Sequence, residues 1–138
     1  MEKLRARLQT CQAALSTLDE AVHLPRGIIV RDASIQRFEY SFEIVWKLLK
    51  GYLEQHEGIL SSSPKSCFRE ALQAGLLSAE ETELCLTMTD DRNLTSHTYI
   101  EAVAEAIYRK LPSYLAVMGT LMAQIQTRME PVPPADHG

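Results

Sequence analysis

The sequence predicts an all-α protein folded as an up-and-down bundle of four to five helices. In three long segments, apolar residues recur at steps of three and four, the spacing of a helix with one buried face. Serine residues placed as helix caps mark two further helix starts. The connections are short, so successive helices are expected to run largely antiparallel. The sequence contains no internal repeat and no glycine-rich phosphate loop.

Length and composition indicate one globular domain. The 138 residues are 46% hydrophobic, and the formal net charge is −4. This balance argues against a protein that coats nucleic acid non-specifically, because such binding needs a broad basic surface. No apolar run is long enough to span a membrane and no signal-peptide pattern follows Met1, so a cytoplasmic protein is expected. The bundle is predicted for residues 1–129 and a disordered tail for residues 130–138.

The cysteines indicate neither a disulfide framework nor a metal site. Cys11, Cys67 and Cys85 are odd in number and far apart, and no Cys-x-x-Cys pair is present. We therefore expect buried, reduced side chains, and neither a metal nor a cofactor.

The first helix is predicted from residue 2 to residue 23, followed by Pro25 and Gly27. Its apolar stripe comprises Leu4, Leu8, Cys11, Leu15, Leu18 and Val22. The apolar run at residues 28–30 is expected to be a loop packed on the bundle, because a lone strand has no partner. Asp32 or Ser34 is expected to cap the next helix.

The second helix is predicted over residues 33–57, with its stop at Gly58. Its main apolar stripe comprises Ile35, Phe38, Phe42, Val45, Leu49 and Leu53. Further apolar residues widen this face, which suggests contact with the core on one side and with a second subunit on the other. A polar stripe is either a solvated face or one wall of a cleft; it comprises Gln36, Glu43, Lys47 and Lys50.

Two capped helices follow. Ser63 precedes Pro64 and predicts a short helix over residues 64–74. Ser78 and Glu81 form the spacing of a capping box, which predicts a helix from residue 79 into the segment around residue 92.

The last helix is predicted to begin after Thr98, because Thr98 and Glu101 repeat the capping-box spacing. Pro112 lies within its apolar pattern and predicts a kink or a brief break there. Leu94, just before this helix, is expected to be buried.

Residues 90–99 (DDRNLTSHTY) concentrate the residues able to do chemistry. On one unbroken helix Arg92 and His97 would point about 140° apart, so they can converge only if the helix ends between them. A following helix start would place His97 near unpaired N–H groups that favour an anion. The arginine offers a fork of donors suited to phosphate, and an imidazole can move a proton near neutral pH. The segment therefore predicts a small anion site, most suited to phosphate.

A purely structural interpretation is open for the same residues. Arg92 could pair only with Asp90 or Asp91 on the surface, and His97 could be a solvated neighbour of a helix cap. Tyr99 could pack its ring on the bundle. A helical bundle with no functional site is thus a third possibility beside a catalytic and a binding protein.

Two segments resemble a known family. Residues 37–50 (RFEYSFEIVWKLLK) are similar to the second helix of the nucleotidyltransferase substrate-binding proteins, and residues 91–99 (DRNLTSHTY) resemble their signature. These proteins belong to the HEPN superfamily. The resemblance covers most of residues 1–128. It implies a HEPN-like up-and-down bundle, a homodimer, and a minimal nucleotidyltransferase as partner in a two-component bacterial or archaeal module.

The resemblance also implies an activity. Many such HEPN proteins are toxins that cleave RNA without metal through an Arg-x4–6-His motif, here Arg92 and His97, with Asn93 as its polar residue. In related toxin–antitoxin pairs the partner modifies the tyrosine two residues after the histidine with nucleotide, here Tyr99. The remaining residues expected to support the site or contact an anion are Asp91, Ser96 and Thr98.

The chemistry of these residue types agrees with an RNase, but a second function is left open. A histidine can take a proton from a ribose 2′-hydroxyl, and an arginine can stabilise charge on the phosphate oxygens. One histidine per chain is few for both acid and base roles, which a dimer with a shared cleft would remedy. The alternative is a non-catalytic subunit that binds substrate or nucleotide and docks the nucleotidyltransferase.

Overall fold

A computed structural model describes residues 2–130 of the chain, and within them every regular element is helical. The five α-helices are α1 (Glu2–Val22), α2 (Ile28–Tyr52), α3 (Pro64–Gln73), α4 (Ala79–Leu94) and α5 (Glu101–Met129). A π-helical turn, Leu53–Glu57, extends α2, and a 3₁₀ turn, Thr95–His97, follows α4. The predicted all-α class is confirmed.

The four helices α1, α2, α4 and α5 run alternately up and down, and α3 pairs with α4. α1 is antiparallel to α2, because Thr17 meets Tyr40 near one end and Arg7 meets Lys47 near the other. α5 lies antiparallel to α4 and parallel to α2. The predicted arrangement of three long helices and a short helical pair is therefore confirmed.

Aromatic side chains join α2 to its neighbours. Phe38 stacks on Tyr114 of α5 with ring centroids 5.5 Å apart, and Phe42 meets Phe68 of α3 edge-on at 6.1 Å. All the apolar residues predicted for the main stripe of α2 are buried. Since burying one such side chain contributes about 1.5–3 kcal/mol, this cluster fixes where α2 sits against α3 and α5.

Several predicted helix ends are confirmed. Ser63 caps α3 by accepting from the N–H of Ser66, and Ser78 forms a complete capping box with Glu81. The stop after α2 falls at Gly58, whose φ of 66° is the left-handed conformation that glycine adopts at little cost.

The start of α2 differs from the prediction. Residues 28–30 form its first turn rather than a loop, and Ile29 is 85% exposed rather than packed on the bundle. The residue before the helix is Gly27, so neither Asp32 nor Ser34 is the cap. The physical reason lies in Arg31, a buried residue whose guanidinium donates to Glu101 and Glu105 at the start of α5. These ion pairs fix residues 28–31 as helix, which no local pattern reveals.

The start of α5 also differs. Its N-cap is Ile100, and no side chain caps it; the Thr98 hydroxyl instead donates to the carbonyl of Thr95 in the preceding turn. The predicted capping box with Glu101 is therefore wrong. Leu94, expected to be buried, is 42% exposed.

The predicted break at Pro112 is not found, because α5 stays helical from Glu101 to Met129. Pro112 lies on the exposed face of the helix. Water can there replace the missing donor to the carbonyl four residues earlier, so the proline is tolerated.

The cysteines are free and buried, as predicted. Burial raises the pKa of Cys11 and of Cys85 to about 12, so these thiols stay neutral at ordinary pH. Within residues 2–130, no helix has the length and apolar character needed to cross a membrane. The predicted tail from residue 131 onward lies outside the described residues.

Candidate functional site

The helix ends between Arg92 and His97, as predicted. α4 stops at Leu94, and residues 95–97 form a tighter 3₁₀ turn. Thr95 closes this turn: its hydroxyl donates to the carbonyl of Arg92 at 2.7 Å and accepts from the Arg92 guanidinium at 2.9 Å. One buried threonine therefore ends the helix and also holds the arginine side chain beside the turn.

Arg92 faces two carboxylates of α2. Its Nη1 lies 3.7 Å from Glu39 Oε2, and its Nε lies 3.4 Å from Glu43 Oε1. The Nε contact lacks the geometry of a hydrogen bond, so this buried nitrogen has no hydrogen-bond partner among residues 2–130. The guanidinium is thus attracted by both glutamates without being saturated by them, and 27% of the side chain is exposed. Pairing with Asp90 or Asp91, the structural alternative, is not found.

Asp90 and Asp91 pair with other helices. Asp90 lies 2.7 Å from Lys65 of α3. Asp91 is buried, accepts from Lys110 at 3.0 Å, and accepts a further hydrogen bond from the phenol of Tyr114. A buried carboxylate does not suit anion binding, so the role that the geometry supports for Asp91 is to anchor the end of α4 onto α5.

The buried phenol of Tyr114 is held neutral. Burial raises its pKa, and the neighbouring carboxylate of Asp91 raises it further. The phenol therefore remains a donor to Asp91 at ordinary pH, and it keeps the residue next to Arg92 in place.

The imidazole and the second phenol lie at the surface. His97, Asn93 and Ser96 are exposed, and Tyr99 is 80% exposed. The Tyr99 hydroxyl lies 3.5 Å from His97 Nδ1, and their rings meet edge-on with centroids 6.0 Å apart. The alternative in which Tyr99 packs on the bundle is therefore wrong. Its hydroxyl is open to a large reagent and lies beside the histidine.

A groove of about 490 Å³ opens beside Arg92. It is lined by Gln36, Glu39, Tyr40, Glu43, Ile44 and Arg92. Two residues of the polar stripe, Gln36 and Glu43, thus form one wall of a cleft, which was one of the two interpretations of that stripe. The groove can admit an anionic group to the open side of the guanidinium.

Sequence reasoning missed Glu39, Thr95 and Tyr114 as residues that hold the site. Glu39 and Glu43 have the i, i+4 spacing that places two side chains on one helix face, and this was a usable signal. Nothing in the sequence pairs that face with Arg92, which lies far along the chain on another helix. Within residues 2–130, no three His, Cys, Asp or Glu side chains are placed to share a metal ion.

Comparison with known proteins gives concordant results. A family model described as "nucleotidyltransferase substrate binding protein like" matches residues 6–127. The probable ribonuclease HepT of Haemophilus influenzae is 32% identical over 99 residues, covering 69% of this chain and 66% of that protein. The match thus spans slightly less than two thirds of the relative.

Solved structures share the fold. A protein of Thermus thermophilus is 46% identical, with a TM-score of 0.82 over 84% of this chain and 98% of that one. A Haemophilus influenzae structure that reveals the fold of a substrate-binding domain of a nucleotidyltransferase is 27% identical, with a TM-score of 0.74 over 86% and 98%.

A third structure, the tri-AMPylated HEPN toxin of Shewanella oneidensis in complex with its MNT antitoxin, is 14% identical, with a TM-score of 0.72 over 90% and 96% of the two chains. At this identity the likeness concerns the fold alone. The family model covers most of the chain, and the helical order agrees with these bundles. The chain belongs to the nucleotidyltransferase substrate-binding protein family and has the HEPN fold.

Proposed function

We propose that the protein is the HEPN component of a two-component nucleotidyltransferase module and that it cleaves RNA without a metal ion. The similarity to a probable ribonuclease supports the activity. The family model and the likeness to a substrate-binding domain of a nucleotidyltransferase support the module. The observation that carries the proposal is the state of Arg92: a guanidinium held by Thr95 and two glutamates, yet open on one side to a groove.

The proposed reaction uses the exposed end of the motif. His97 removes the proton of a ribose 2′-hydroxyl, and the 2′-oxygen attacks the adjacent phosphorus. The bond from phosphorus to the 5′-oxygen breaks, which leaves a 2′,3′-cyclic phosphate and a 5′-hydroxyl. Arg92 stabilises the negative charge that develops on the phosphate oxygens, and Asn93 orients the phosphate.

The leaving 5′-oxygen needs a proton, and one chain offers a single histidine in the motif. We propose that a homodimer brings a second His97 into a shared cleft, where it acts as the acid. Sedimentation of the purified protein at micromolar concentration tests this step, and a monomer would contradict it.

Control by a nucleotidyltransferase partner is proposed through Tyr99. Its exposed hydroxyl lies beside His97, so transfer of a nucleotide would place phosphate charge and bulk next to the imidazole. RNA phosphate would then be repelled from the site. Incubation with the partner and a nucleoside triphosphate should add mass to the wild type but not to Tyr99→Phe.

The decisive experiment is cleavage of a mixed RNA pool in EDTA by the purified protein. Cleavage should leave cyclic-phosphate ends and disappear in His97→Ala. His23→Ala is the matched control, because His23 is an exposed histidine just after α1, and within residues 2–130 its imidazole makes polar contacts with Asp19 alone. Equal cleavage by wild type and His97→Ala would point to a contaminating nuclease.

The second candidate function is a non-catalytic subunit that binds substrate or nucleotide and docks the transferase. The two glutamates around Arg92 favour the docking part of this candidate, because they weaken the positive potential that the phosphate of an RNA or a nucleotide meets. This candidate predicts no cleavage, together with co-purification with the nucleotidyltransferase that Arg92→Ala weakens.

A further inference from the structure

Four cations lie together on one face of α1 and α2. Lys3 and Arg7 come from α1, and Lys47 and Lys50 come from the antiparallel α2. None of the four has a carboxylate within 4.0 Å among residues 2–130, although the chain as a whole carries a net charge of −4. We call these four residues the basic track.

The position of Arg7 in the track is built into α2. Its Nη1 donates to the carbonyl of Lys47 at 3.5 Å and passes over Gly51, where an added Cβ would lie only 2.8 Å from that nitrogen. Glycine inside a helix costs about 1 kcal/mol relative to alanine, so a packing reason is expected for it. The close approach of Arg7 supplies that reason.

The basic track continues the groove of Arg92. A groove of about 310 Å³ lies between α1 and α2, lined by Lys3, Ala6, Arg7, Thr10, Ile44 and Lys47. Ile44 also lines the Arg92 groove, so the two share a border. A further recess of about 350 Å³ is lined by Arg7, Trp46, Lys47, Lys50 and Glu54. From Glu39 to Lys50 the helix rises about 16 Å, which spans several nucleotides of a single strand.

The chemistry of this surface fits single-stranded nucleic acid. Such chains are bound by a cationic groove that follows the phosphates, together with aromatic side chains that contact bases. Here the half-buried Trp46 lies among three of the cations, and Tyr40 lies in the neighbouring groove. An acidic protein surface would also satisfy the cations, but it would not use the continuity of the basic track with the Arg92 groove.

We propose that the basic track binds the phosphate backbone of single-stranded RNA on one side of the linkage held at Arg92. This inference rests on the proposed function, since it names the path by which the substrate reaches the same site. It requires no change in the chain, because Lys3 and Lys47 are exposed in the described structure.

The test is binding of a fluorescent single-stranded RNA, about a dozen nucleotides long, to the full-length His97→Ala protein. In that background RNA is not consumed. Adding Lys47→Ala and Lys50→Ala should weaken binding about tenfold near 100 mM salt. It should also flatten the slope of log affinity against log salt by about 1.4, because each lost single-strand contact removes about 0.7.

The matched control removes the same charge elsewhere. Arg69→Ala with Arg109→Ala takes two exposed cations from α3 and α5, and RNA affinity should stay within about twofold. Equal losses of RNA affinity in the track variant and the control variant would overturn the proposal, because they would show that affinity depends on net charge and not on the position of the cations. Loss of binding to the nucleotidyltransferase with unchanged RNA affinity would also overturn it and would assign the surface to a protein partner.

Failure of this inference can be told from failure of the proposed function. RNA binding that depends on the track in a protein without nuclease activity would support the track and refute the RNase. Cleavage by a Lys47→Ala, Lys50→Ala protein with wild-type KM would refute the track and leave the RNase intact. If the basic track and the RNase activity are both correct, the Lys47→Ala, Lys50→Ala protein should show a KM about tenfold higher than wild type, while its kcat stays within about twofold.

Discussion

Two arginines of this bundle face the same kind of partner and differ in what they can do. Arg31 meets Glu101 and Glu105 of α5 at 2.5 and 2.9 Å, and Arg92 meets a pair of glutamates of α2 at 3.7 and 3.4 Å. Both pairs have i, i+4 spacing on one helix face. Arg31 is 5% exposed at its side chain, whereas Arg92 is 27% exposed and borders a groove.

The difference separates a cation that is enclosed by its partners from one that is accessible to a ligand. Arg31 also donates to Asp32, so three carboxylates engage it and raise the pKa of its guanidinium still further. The Nε and Nη1 donors are occupied and the side chain is 5% exposed, so little of it is accessible to a ligand. Arg92 makes one side-chain hydrogen bond, to Thr95, and keeps donors for an incoming phosphate. Carboxylates can thus either occupy most of the donors of a guanidinium or hold it in position while other donors stay accessible.

The largest expected effects come from replacing each of these two arginines in a separate variant. Arg92→Ala should lower kcat/KM for RNA by about 10²–10³, the usual loss for a charge-stabilising donor, with little change in unfolding. Arg31→Met should do the reverse, lowering Tm while the folded fraction keeps its activity. RNA cleavage and thermal unfolding, measured on both variants, check this. Similar losses of activity and of Tm in the two variants would contradict the distinction between Arg31 and Arg92.

The support of Arg92 through Asp91 is expected to show in stability. Tyr114→Phe removes a donor from a buried carboxylate and should cost about 1–3 kcal/mol in urea unfolding. Tyr99→Phe is the control, and its exposed ring should give less than about 0.5 kcal/mol. A loss in Tyr99→Phe as large as in Tyr114→Phe would contradict this assignment.

Tyr114 also predicts a pH dependence. Its pKa is raised in the folded state, so the unfolded chain loses the phenolic proton first, near the ordinary value of about 10. The stabilisation is complete below that pH and is lost as pH rises beyond it. Wild type should therefore lose more stability than Tyr114→Phe between about pH 9 and 11, measured by urea unfolding. Parallel losses would show that the phenol ionises equally in both states.

A smaller effect should come from loosening Arg92. Glu43→Gln removes a charge that competes with phosphate, so KM for RNA should fall a few-fold while kcat also falls, because the guanidinium is less well oriented. Steady-state kinetics separate the two constants. A large drop in Tm instead would mean that Glu43 acts like the partners of Arg31.

The smallest effect is expected at Gly51. Gly51→Ala favours the helix, but its Cβ would lie 2.8 Å from the Arg7 nitrogen and 3.1 Å from Cδ1 of the buried Leu4. The gain in helix propensity and the crowding oppose each other, so stability should change by about 1 kcal/mol at most. RNA affinity should fall a few-fold in the binding assay. Gly119→Ala is the control, because within residues 2–130 its added Cβ has nothing within 4 Å beyond the adjacent residues and the local helix backbone. Unchanged RNA affinity in Gly51→Ala would place Arg7 outside the binding surface.

Local patterns predicted much of this molecule. The apolar stripes of α1 and α2, the caps at Ser63 and Ser78, and the helix end between Arg92 and His97 depend on spacing within a few residues. The start of α2 was missed because a buried ion pair 70 residues away in sequence fixes it. The cap at Thr98 was wrong because a 3₁₀ turn uses that hydroxyl instead.

The sequence predicted which residues of segment 90–99 form the candidate site, but it did not predict which residues of other helices surround them. Helical spacing shows which face of α2 is polar, but not which helix packs beside it, so the glutamates around Arg92 could not be assigned. The same limit applies to Asp91, whose partners lie on α5. The roles of Arg92, Asn93, His97 and Tyr99 remain predictions that the experiments above address.

The aromatic stacking of α2 has a consequence for substrate length. Phe38 and Phe42 lock this helix against α5 and α3, while its other face carries the glutamates of the Arg92 groove and the lysines of the basic track. In a helix fixed in this way, the rise per residue sets a constant distance between the Arg92 groove and the basic track, which are the proposed sites of the cleaved linkage and of the bound phosphates. On the proposed function, RNA fragments shorter than that span would lose the anchor, and we expect the protein to release them rather than degrade them to mononucleotides.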